Sequence, residues 1–241
     1  RSITSGRVPK EWKRAIIVPL PKPGADLTAP TSWRPVSLTS TIAKLAERIM
    51  LARINTYVKL NPSMHGFRNG HSTMDAVATL AAAVTKAEKA PGHMGVAAVL
   101  IDLSKAFDKV LHRILLERMT ECGCPHYIAE WAHDFLVGRK ASVRIGRVIS
   151  RPKTMYTGVP QGTILGPVFF NIYTHKLLES LNGIAGNLRC TAYADDLTII
   201  TMGGSIAEIE PATKLAIKEI TTWASASGMV INSSKTELLV F

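Results

Sequence analysis

Apolar and polar positions along the chain predict strands and helices in mixed order. Residues 188–201, LRCTAYADDLTIIT, carry β-prone segments on both sides of two adjacent aspartates. This pattern predicts a strand–turn–strand hairpin with Asp195 and Asp196 at or beside its tip. Val96–Leu103 is a nearly unbroken apolar run, which favours a buried strand, although periodicity alone leaves a buried helix segment open. Further strands are predicted at Ala15–Leu20, within 141–157 and at Glu237–Phe241.

Helical spacing of apolar residues recurs between these strands. It predicts helices over 40–58, after a capping-box-like start at Ser72 and Asp75, and over 110–121, 126–137, 164–181 and 212–227. The predicted inward stripes are Ile42, Leu45, Ala46, Ile49, Arg53, Ile54 and Tyr57; Val77, Leu80, Ala81 and Val84; and Ala216, Ile220, Trp223 and Ala224. Because the hairpin requires antiparallel pairing, we expect an α+β fold rather than a doubly wound parallel sheet.

Three aspartates fall at the ends of predicted strands. Asp102 interrupts the apolar run, where a carboxylate is costly unless it is paired or bound to a metal ion. The alternatives are that Asp102 caps the following turn or pairs with Lys105, and that Asp195 and Asp196 form a solvated turn. A site shared by these strand ends would offer oxygen ligands, which suit Mg²⁺ better than zinc.

The charge of the chain points to a polyanionic partner. The net charge is +11 and the isoelectric point is near 9.8. Residues 1–70 hold twelve Lys and Arg against three acids, and the run from Arg139 to Lys153 is basic without an acid. No signal peptide, lipidation motif or bilayer-length apolar stretch is visible, so nucleic acid is favoured over a membrane.

Cysteine and histidine give no convincing zinc motif. Three cysteines are an odd number, which is typical of thiols in a reducing compartment. The cluster of Cys122, Cys124, His126 and His133 has the wrong spacing for common structural zinc sites, and the seven histidines suggest no other metal constellation. The chain begins at Arg1 and ends inside an apolar run, so we expect it to be a piece of a larger polypeptide.

Six motifs, in order along the chain, resemble the reverse transcriptases, and most closely those of non-LTR (LINE-type) retrotransposons. They are WRPVSLTSTIAKLAERI (33–49), HGFRNGHST (65–73), LIDLSKAFDKV (100–110), GVPQGTILGPVFFNIY (158–173), YADDL (193–197) and GMVINSSKT (228–236). Each motif alone is weak, but all six in order make chance similarity very improbable. The resemblance covers essentially the whole chain.

The resemblance implies the fingers and palm of a right-hand polymerase. The expected ranges are 1–95 for the fingers, 96–125 for the first part of the palm, 126–155 for a return to the fingers and 156–241 for the rest of the palm. The thumb is expected to lie beyond Phe241, and an endonuclease elsewhere on the same polypeptide. Without the thumb, this fragment is expected to be weakly active or inactive.

The resemblance also implies a catalytic centre. Asp102, Asp195 and Asp196, with the Leu103 carbonyl as an additional ligand, are expected to hold two Mg²⁺ ions, with Mn²⁺ as an alternative. The alternative for Asp196 is a position outside the metal's direct ligands. Lys235 is expected to be a general acid for pyrophosphate release or, equally, a surface lysine. Asp108 is expected to cap a helix and to have no catalytic role.

Substrate-binding roles follow from the same resemblance. Arg34 is expected to grip the triphosphate, and Gln161 beside Gly162 to contact nucleotide and template. Phe107 is expected to exclude a 2′-hydroxyl, and Tyr193 with Ala194 to flank the primer end. The bland alternatives are a core phenylalanine, a solvent-exposed turn glutamine and residues that only fill the hairpin. Lys13, Arg14 and Lys22 could help to bind phosphate, but a solvated basic face is at least as good an interpretation. His65 and His71 are expected either to contact template phosphate or to be ordinary loop histidines.

The predicted activity is RNA-directed DNA synthesis, with an RNA template, a DNA primer and deoxynucleoside triphosphates as partners. The competing hypothesis is a nucleic-acid-binding relative that no longer polymerises. The joint presence of Asp102, Asp195, Asp196, Phe107 and Gln161 favours the enzyme. Family resemblance further predicts an intracellular protein that works in the nucleus during integration, with no membrane partner.

Overall fold

The computed structural model describes residues 2–92 and 94–241, so Arg1, one of the predicted basic residues, lies outside the described residues. The helices are α1 (Ser2–Ser5), α2 (Thr41–Tyr57), α3 (Thr73–Lys89), α4 (Ala106–Lys109), α5 (His112–Glu121), α6 (His126–Leu136), α7 (Leu165–Asn182) and α8 (Ile206–Ala226). The strands are β1 (Arg14–Pro21), β2 (Trp33–Leu38), β3 (Gly95–Ile101), β4 (Lys140–Ile145), β5 (Val148–Ile149), β6 (Lys153–Thr154), β7 (Leu188–Tyr193), β8 (Asp196–Gly203) and β9 (Glu237–Val240). The α+β prediction is confirmed.

The chain divides into two compact units. Unit one comprises residues 1–59 and 110–169, and unit two comprises residues 60–109 and 170–241. The assignment of particular ranges to fingers and palm stays a prediction. Within residues 2–92 and 94–241, no helix is both long enough and apolar enough to cross a membrane.

Unit one contains a sheet in the order β2-β1-β4-β5, with β6 beside β4. β1 pairs with β2 in antiparallel fashion and with β4 in parallel fashion. The sequence predicted one strand in this basic, proline-rich region, whereas the structure has a second, β2, which includes Pro35. Since β2 lies at the edge of the sheet, a residue without an N–H is tolerated there. On α6, the rings of Trp131 and Phe135 stack with their centroids 5.3 Å apart, and both side chains are buried in the core.

The core-facing side of α2 differs from the predicted stripe. Ile42, Leu45, Ile49 and Tyr57 are exposed, with 63% of Ile42 and 61% of Leu45 accessible, and the buried side is formed by Ala43, Ala46, Glu47, Met50 and Ile54. The prediction followed the largest apolar side chains. The helix instead turns its small residues and one carboxylate inward.

That carboxylate, Glu47, fixes the start of α7. It is fully buried, and its Oε2 accepts the backbone N–H groups of Ile164 at 2.7 Å and Leu165 at 3.0 Å. These amides are among the donors that a helix leaves unsatisfied at its start. Burial raises the pKa of Glu47, while the two amides and the charge of Arg139 oppose that shift. The sequence gave no sign of this cap, because Glu47 lies within a helix more than a hundred residues away.

Unit two contains an antiparallel sheet in the order β7-β8-β3-β9. Helices α3 and α8 pack on this sheet. The predicted inner face of α8, Ala216, Ile220, Trp223 and Ala224, is buried as expected. α8 nevertheless begins at Ile206 rather than Ala212, so Pro211 lies inside the helix, where prolines are normally unfavourable.

The capping box at Ser72 and Asp75 is confirmed, but the predicted face of α3 is rotated. Val77 and Ala81 are exposed, whereas Ala83 and Ala87 are buried against Val96, Ile200 and Met202. Leu80 and Val84 are partly buried against the same cluster. Small residues therefore let α3 approach the sheet closely.

Replacing Glu47 by alanine is expected to destabilise the fold by about 3 kcal/mol, because two backbone amides lose their acceptor and the buried guanidinium of Arg139 loses a neighbouring negative charge. Urea unfolding of the 241-residue chain measures the change. Glu117, an exposed glutamate whose ion pair with Arg113 lies at the surface, is the matched control. Its replacement by alanine should cost less than about 0.5 kcal/mol. Equal effects of the two substitutions would refute the role of Glu47.

Candidate functional site

The register of β3 against β8 brings two of the predicted aspartates together. Ile101 pairs with Leu197 in this antiparallel ladder, so Asp102, the next residue on one strand, comes opposite Asp196, the preceding residue on the other. Tyr193 pairs with Asp196 across the β7–β8 hairpin, which leaves Ala194 and Asp195 as its two-residue turn. The structure thus confirms the predicted hairpin and places all three carboxylates at one end of one sheet.

Burial and mutual repulsion disfavour the charged forms of the hairpin aspartates. Burial raises the pKa of Asp195, and the charges of Asp196 and Asp102 raise it further. Burial and then the charge of Asp102 raise the pKa of Asp196. The positive charge of Lys235 opposes both shifts, which places this exposed lysine within electrostatic reach of the two carboxylates. The site has an excess of negative charge that a cation would offset.

Asn232 holds Asp102 from the segment before β9. Its side-chain amide donates to Asp102 Oδ2 at 2.8 Å, and its backbone N–H donates to the Asp102 carbonyl at 2.8 Å. The alternative ion pair between Asp102 and Lys105 is not formed within residues 2–92 and 94–241. Sequence reasoning missed Asn232, although it lies within the GMVINSSKT motif.

The bonds around Leu103 leave its own carbonyl out of the contact with Asn232. Leu103 forms an isolated antiparallel bridge with Ile231, and the bonds of this bridge use the carbonyl of Asp102 and the N–H of Ser104. Polar groups alternate in direction along an extended chain, so we expect the Leu103 carbonyl to point to the opposite side, toward β8. Its role as a further metal ligand stays a prediction.

The segment before α3 supports the hairpin from the other side. The His65 N–H donates to the Ala192 carbonyl, and the Ala192 N–H donates to the Ser63 carbonyl, both at 2.8 Å. A Cβ atom at Gly66 would overlap the backbone N of Ala194, so only glycine allows this approach. Asn171 donates to the Gly66 carbonyl at 2.9 Å and completes the support. Gly66 was another residue that sequence reasoning did not identify.

Phe107 lies on α4, five residues after Asp102, and is half-buried. Its ring stacks on the fully buried Phe170 at 4.8 Å between centroids and meets Phe67 edge-on at 6.3 Å. One part of the ring is therefore anchored in the core while another remains accessible. Asp108, its neighbour, is exposed in the first turn of α4.

Unit one gathers the remaining predicted residues around β2. The Ser37 N–H donates to the Gln161 carbonyl at 2.8 Å, and a Cβ at Gly162, whose φ is +100°, would lie 2.8 Å from the Ser37 carbonyl oxygen. Arg34 lies on the same strand with its side chain exposed. β2 therefore contains Arg34 and also holds the loop that includes Gln161 through a backbone hydrogen bond.

Some of the basic residues that were candidates for phosphate binding make contacts within the protein instead. Lys13 forms an ion pair with Asp134 at 2.9 Å, and Lys22 donates to the Thr31 carbonyl at 2.8 Å. Arg139 is buried over the ring of Phe135, 4.6 Å from its centroid, so it is not part of the basic surface. The other members of that run are exposed: Lys140, Arg144, Arg147, Arg151 and Lys153.

Two histidines and a carboxylate also come together in the fold, a grouping that the sequence did not predict. Ligand atoms of His65, His71 and Asp75 all lie within 4.8 Å of one another, and no other group of three His, Cys, Asp or Glu residues does so in the described part of the chain. The three site aspartates are spread more widely than that. Cys122 and Cys124 likewise form no such group with His126 and His133.

Comparisons with known proteins place this geometry in a family. Residues 20–240 match the family described as reverse transcriptase (RNA-dependent DNA polymerase). The Drosophila melanogaster protein named "Probable RNA-directed DNA polymerase from transposon BS" is 30% identical over 95% of this chain, and the RNA-directed DNA polymerase from mobile element jockey of Drosophila funebris is 29% identical over 98%. The chain spans 26% of the length of each of these relatives.

Solved structures agree on the fold. Telomerase from Candida tropicalis, in a complex with a fragment of telomeric RNA, superposes with a TM-score of 0.68 at 13% identity, over 97% of this chain and 42% of that one. Apo telomerase from the same organism gives a TM-score of 0.66 over 95% of this chain and 45% of that one. At this level of identity the likeness establishes the polymerase fold alone.

Substituting Gly66 with alanine is expected to destabilise the protein by about 1–3 kcal/mol, because the new methyl group overlaps the backbone of Ala194. Gly186, around which a Cβ meets nothing within 4 Å, is the matched control for glycine replacement in the same unit. Urea unfolding compares the two variants. A Gly66→Ala variant as stable as Gly186→Ala would show that the close approach is not required.

Neutralising Asp195 is expected to stabilise the protein when no divalent cation is present. A raised carboxyl pKa means that the folded state disfavours the charged form, so stability is lost as the pH rises above the unfolded pKa. Asp195→Asn should therefore raise the Tm at pH 7 in EDTA, and the difference should vanish near pH 3, where the wild-type carboxyl is protonated. A lower Tm for the variant at pH 7 would contradict this electrostatic description.

Proposed function

Because the chain belongs to the reverse transcriptase (RNA-dependent DNA polymerase) family, we propose that it carries the polymerase centre of a non-LTR retrotransposon protein and copies RNA into DNA. The observation that carries the proposal is the convergence of Asp102, Asp195 and Asp196 at one end of the β3–β8 ladder. Such a cluster costs stability unless a cation binds there. It is therefore better understood as a binding site than as a stabilising feature.

The donor set fits divalent metal ions, which this family uses, and we assign two Mg²⁺ ions to it. Asp102, Asp195 and the Leu103 carbonyl supply hard oxygen ligands, and Asp196 lies beside them with a more exposed carboxylate. Bound there, the ions would lower the pKa of the primer 3′-hydroxyl and neutralise the pyrophosphate leaving group. Asn232 orients Asp102 through its two hydrogen bonds, which fixes the carboxylate before any substrate arrives.

Lys235 is the proposed general acid. It is exposed, it follows Asn232 in the same short segment, and its charge acts on Asp195 and Asp196. In this role its ammonium group donates a proton to the leaving pyrophosphate.

The nucleotide-binding roles are proposed for residues that the fold holds in place while part of each side chain stays accessible. Phe107, stacked on Phe170, presents a fixed edge that excludes a 2′-hydroxyl from the sugar. Arg34 offers a planar fork of donors to the triphosphate, and Gln161 is held by β2 through its backbone, so its side chain can contact nucleotide and template. Tyr193 and Ala194, at the hairpin, flank the primer end.

The template and primer would be bound through phosphate contacts. Exposed cations cluster in register on unit one, where Arg14 pairs with Lys140 across β1 and β4, and Arg144 follows on β4. The proposal includes an RNA template, a DNA primer and activity in the nucleus.

Primer extension on a poly-rA template tests the catalytic role, using the longest natural polypeptide that contains this sequence. Asp102→Asn or Asp195→Asn should reduce dNTP incorporation at least 1,000-fold, because each removes a charged ligand. Asp108→Asn, an exposed aspartate six residues after Asp102, is the matched control and should retain activity.

Binding of an RNA–DNA hybrid by the same variants separates the two hypotheses. Lost incorporation with unchanged affinity supports polymerisation at this site. A wild-type protein that binds the hybrid but never incorporates nucleotides is instead the binding relative without synthesis. An active Asp195→Asn variant would reject the assignment.

Affinity for an RNA–DNA hybrid is expected to fall steeply with salt. Each phosphate contact should contribute about −0.9 to the slope of log K against log[salt] on duplex, and less on a single strand. The double substitution of Lys140 and Arg144 by alanine should make the slope shallower by about two such contacts. Arg113→Ala, which removes an exposed arginine that pairs with Glu117, is the control. A flat salt dependence would show that this surface does not follow the nucleic acid.

A further inference from the structure

The turn before α3 and the first turn of that helix contain three potential metal ligands that the polymerase reaction does not use. His65 Nδ1 and His71 Nδ1 are 3.2 Å apart, and a ring nitrogen of each histidine lies within 4.8 Å of a carboxylate oxygen of Asp75. Tetrahedral zinc binds imidazole nitrogens at about 2.0–2.1 Å, so two such ligands lie about 3.3 Å apart. The spacing of the two nitrogens matches one edge of that tetrahedron.

Hydrogen bonds hold the backbone of both histidines and one oxygen of Asp75. The His65 N–H is bonded to the Ala192 carbonyl, and the His71 N–H donates to the Arg68 carbonyl at 3.2 Å. Asp75 Oδ2 accepts both the N–H and the hydroxyl of Ser72, which leaves Oδ1 as the oxygen to bind a metal ion. A backbone that is already ordered loses less conformational freedom when a metal ion binds.

One positive charge lies near the turn, because the charge of Arg68 acts on His65. The guanidinium of Arg68 is nevertheless turned toward the carbonyls of Asn61 and Met64, at 2.9 Å each, rather than toward Asp75.

We propose that His65, His71 and Asp75 form a zinc-class metal site, separate from the aspartate cluster, with a water molecule as the fourth ligand. Two imidazoles and one carboxylate suit a borderline ion such as Zn²⁺, whereas Mg²⁺ prefers oxygen ligands alone. His65 is hydrogen-bonded to Ala192 of β7, and Asp75 lies in the first turn of α3. A bound ion would therefore connect the Gly-rich turn to both elements. The alternative is a simple hydrogen bond between the two imidazoles.

Cobalt, a spectroscopic substitute for zinc, tests the site in the 241-residue chain after treatment with a chelator. The titration is carried out in excess Mg²⁺, which fills the aspartate cluster. The intense visible bands of tetrahedral cobalt should then saturate at one equivalent, without the near-ultraviolet band of a cobalt–thiolate bond, and Zn²⁺ should abolish them. Absence of the intense bands, failure to saturate at one equivalent, a thiolate band or bands that persist in excess Zn²⁺ would each overturn the proposal.

Variants locate the site. His71→Gln and Asp75→Asn should each weaken zinc binding at least about 100-fold, because each removes a direct ligand. The asparagine of Asp75→Asn can still accept the hydrogen bond from the Ser72 N–H. His126→Gln, which removes an exposed histidine in unit one, and Cys122→Ser should leave the affinity unchanged. Circular dichroism without metal checks that each variant is folded. Unchanged affinity in folded His71→Gln, or loss of binding in Cys122→Ser, would overturn the assignment.

Discussion

The pairing of β3 with β8 is the constraint on which the candidate active site depends. Side chains alternate between the two faces of a sheet, so a slip of one residue would send Asp102 and Asp196 to different environments. The register is fixed by almost complete burial of β3, in which Val96, Ala97, Ala98, Val99 and Ile101 are all buried. Apolar packing along this strand therefore determines where charged groups meet at its end.

The same end of the sheet combines stabilising and destabilising interactions. Residues 63–66 and Asn232 hold the backbone with hydrogen bonds, while the carboxylates at the tip repel one another. A rigid frame keeps these charges together when relaxation would separate them. Stability is given up where the chemistry needs charge and is recovered in the surrounding backbone contacts.

Sequence patterns predicted the elements that have simple signals. The hairpin around Asp195, the strand before Asp102 and the helix capped by Ser72 follow from local residue types, so the aspartate cluster proposed as the catalytic centre could be predicted from motifs. Features that depend on distant partners were not: Glu47 caps a helix far along the chain, Gly66 matters because of Ala194, and His65 meets His71 only once the turn has folded. The strand around Pro35 and the first turns of α8 before Pro211 were not predicted either, and both elements contain a proline.

Ala194 occupies the turn of the hairpin with a φ of 57°, in the left-handed region. Glycine would adopt this conformation at no cost, whereas alanine gives up about 1 kcal/mol there. The methyl group also narrows the range of backbone shapes that the turn can sample. A turn that samples fewer backbone shapes has less conformational freedom to lose when a ligand binds beside it.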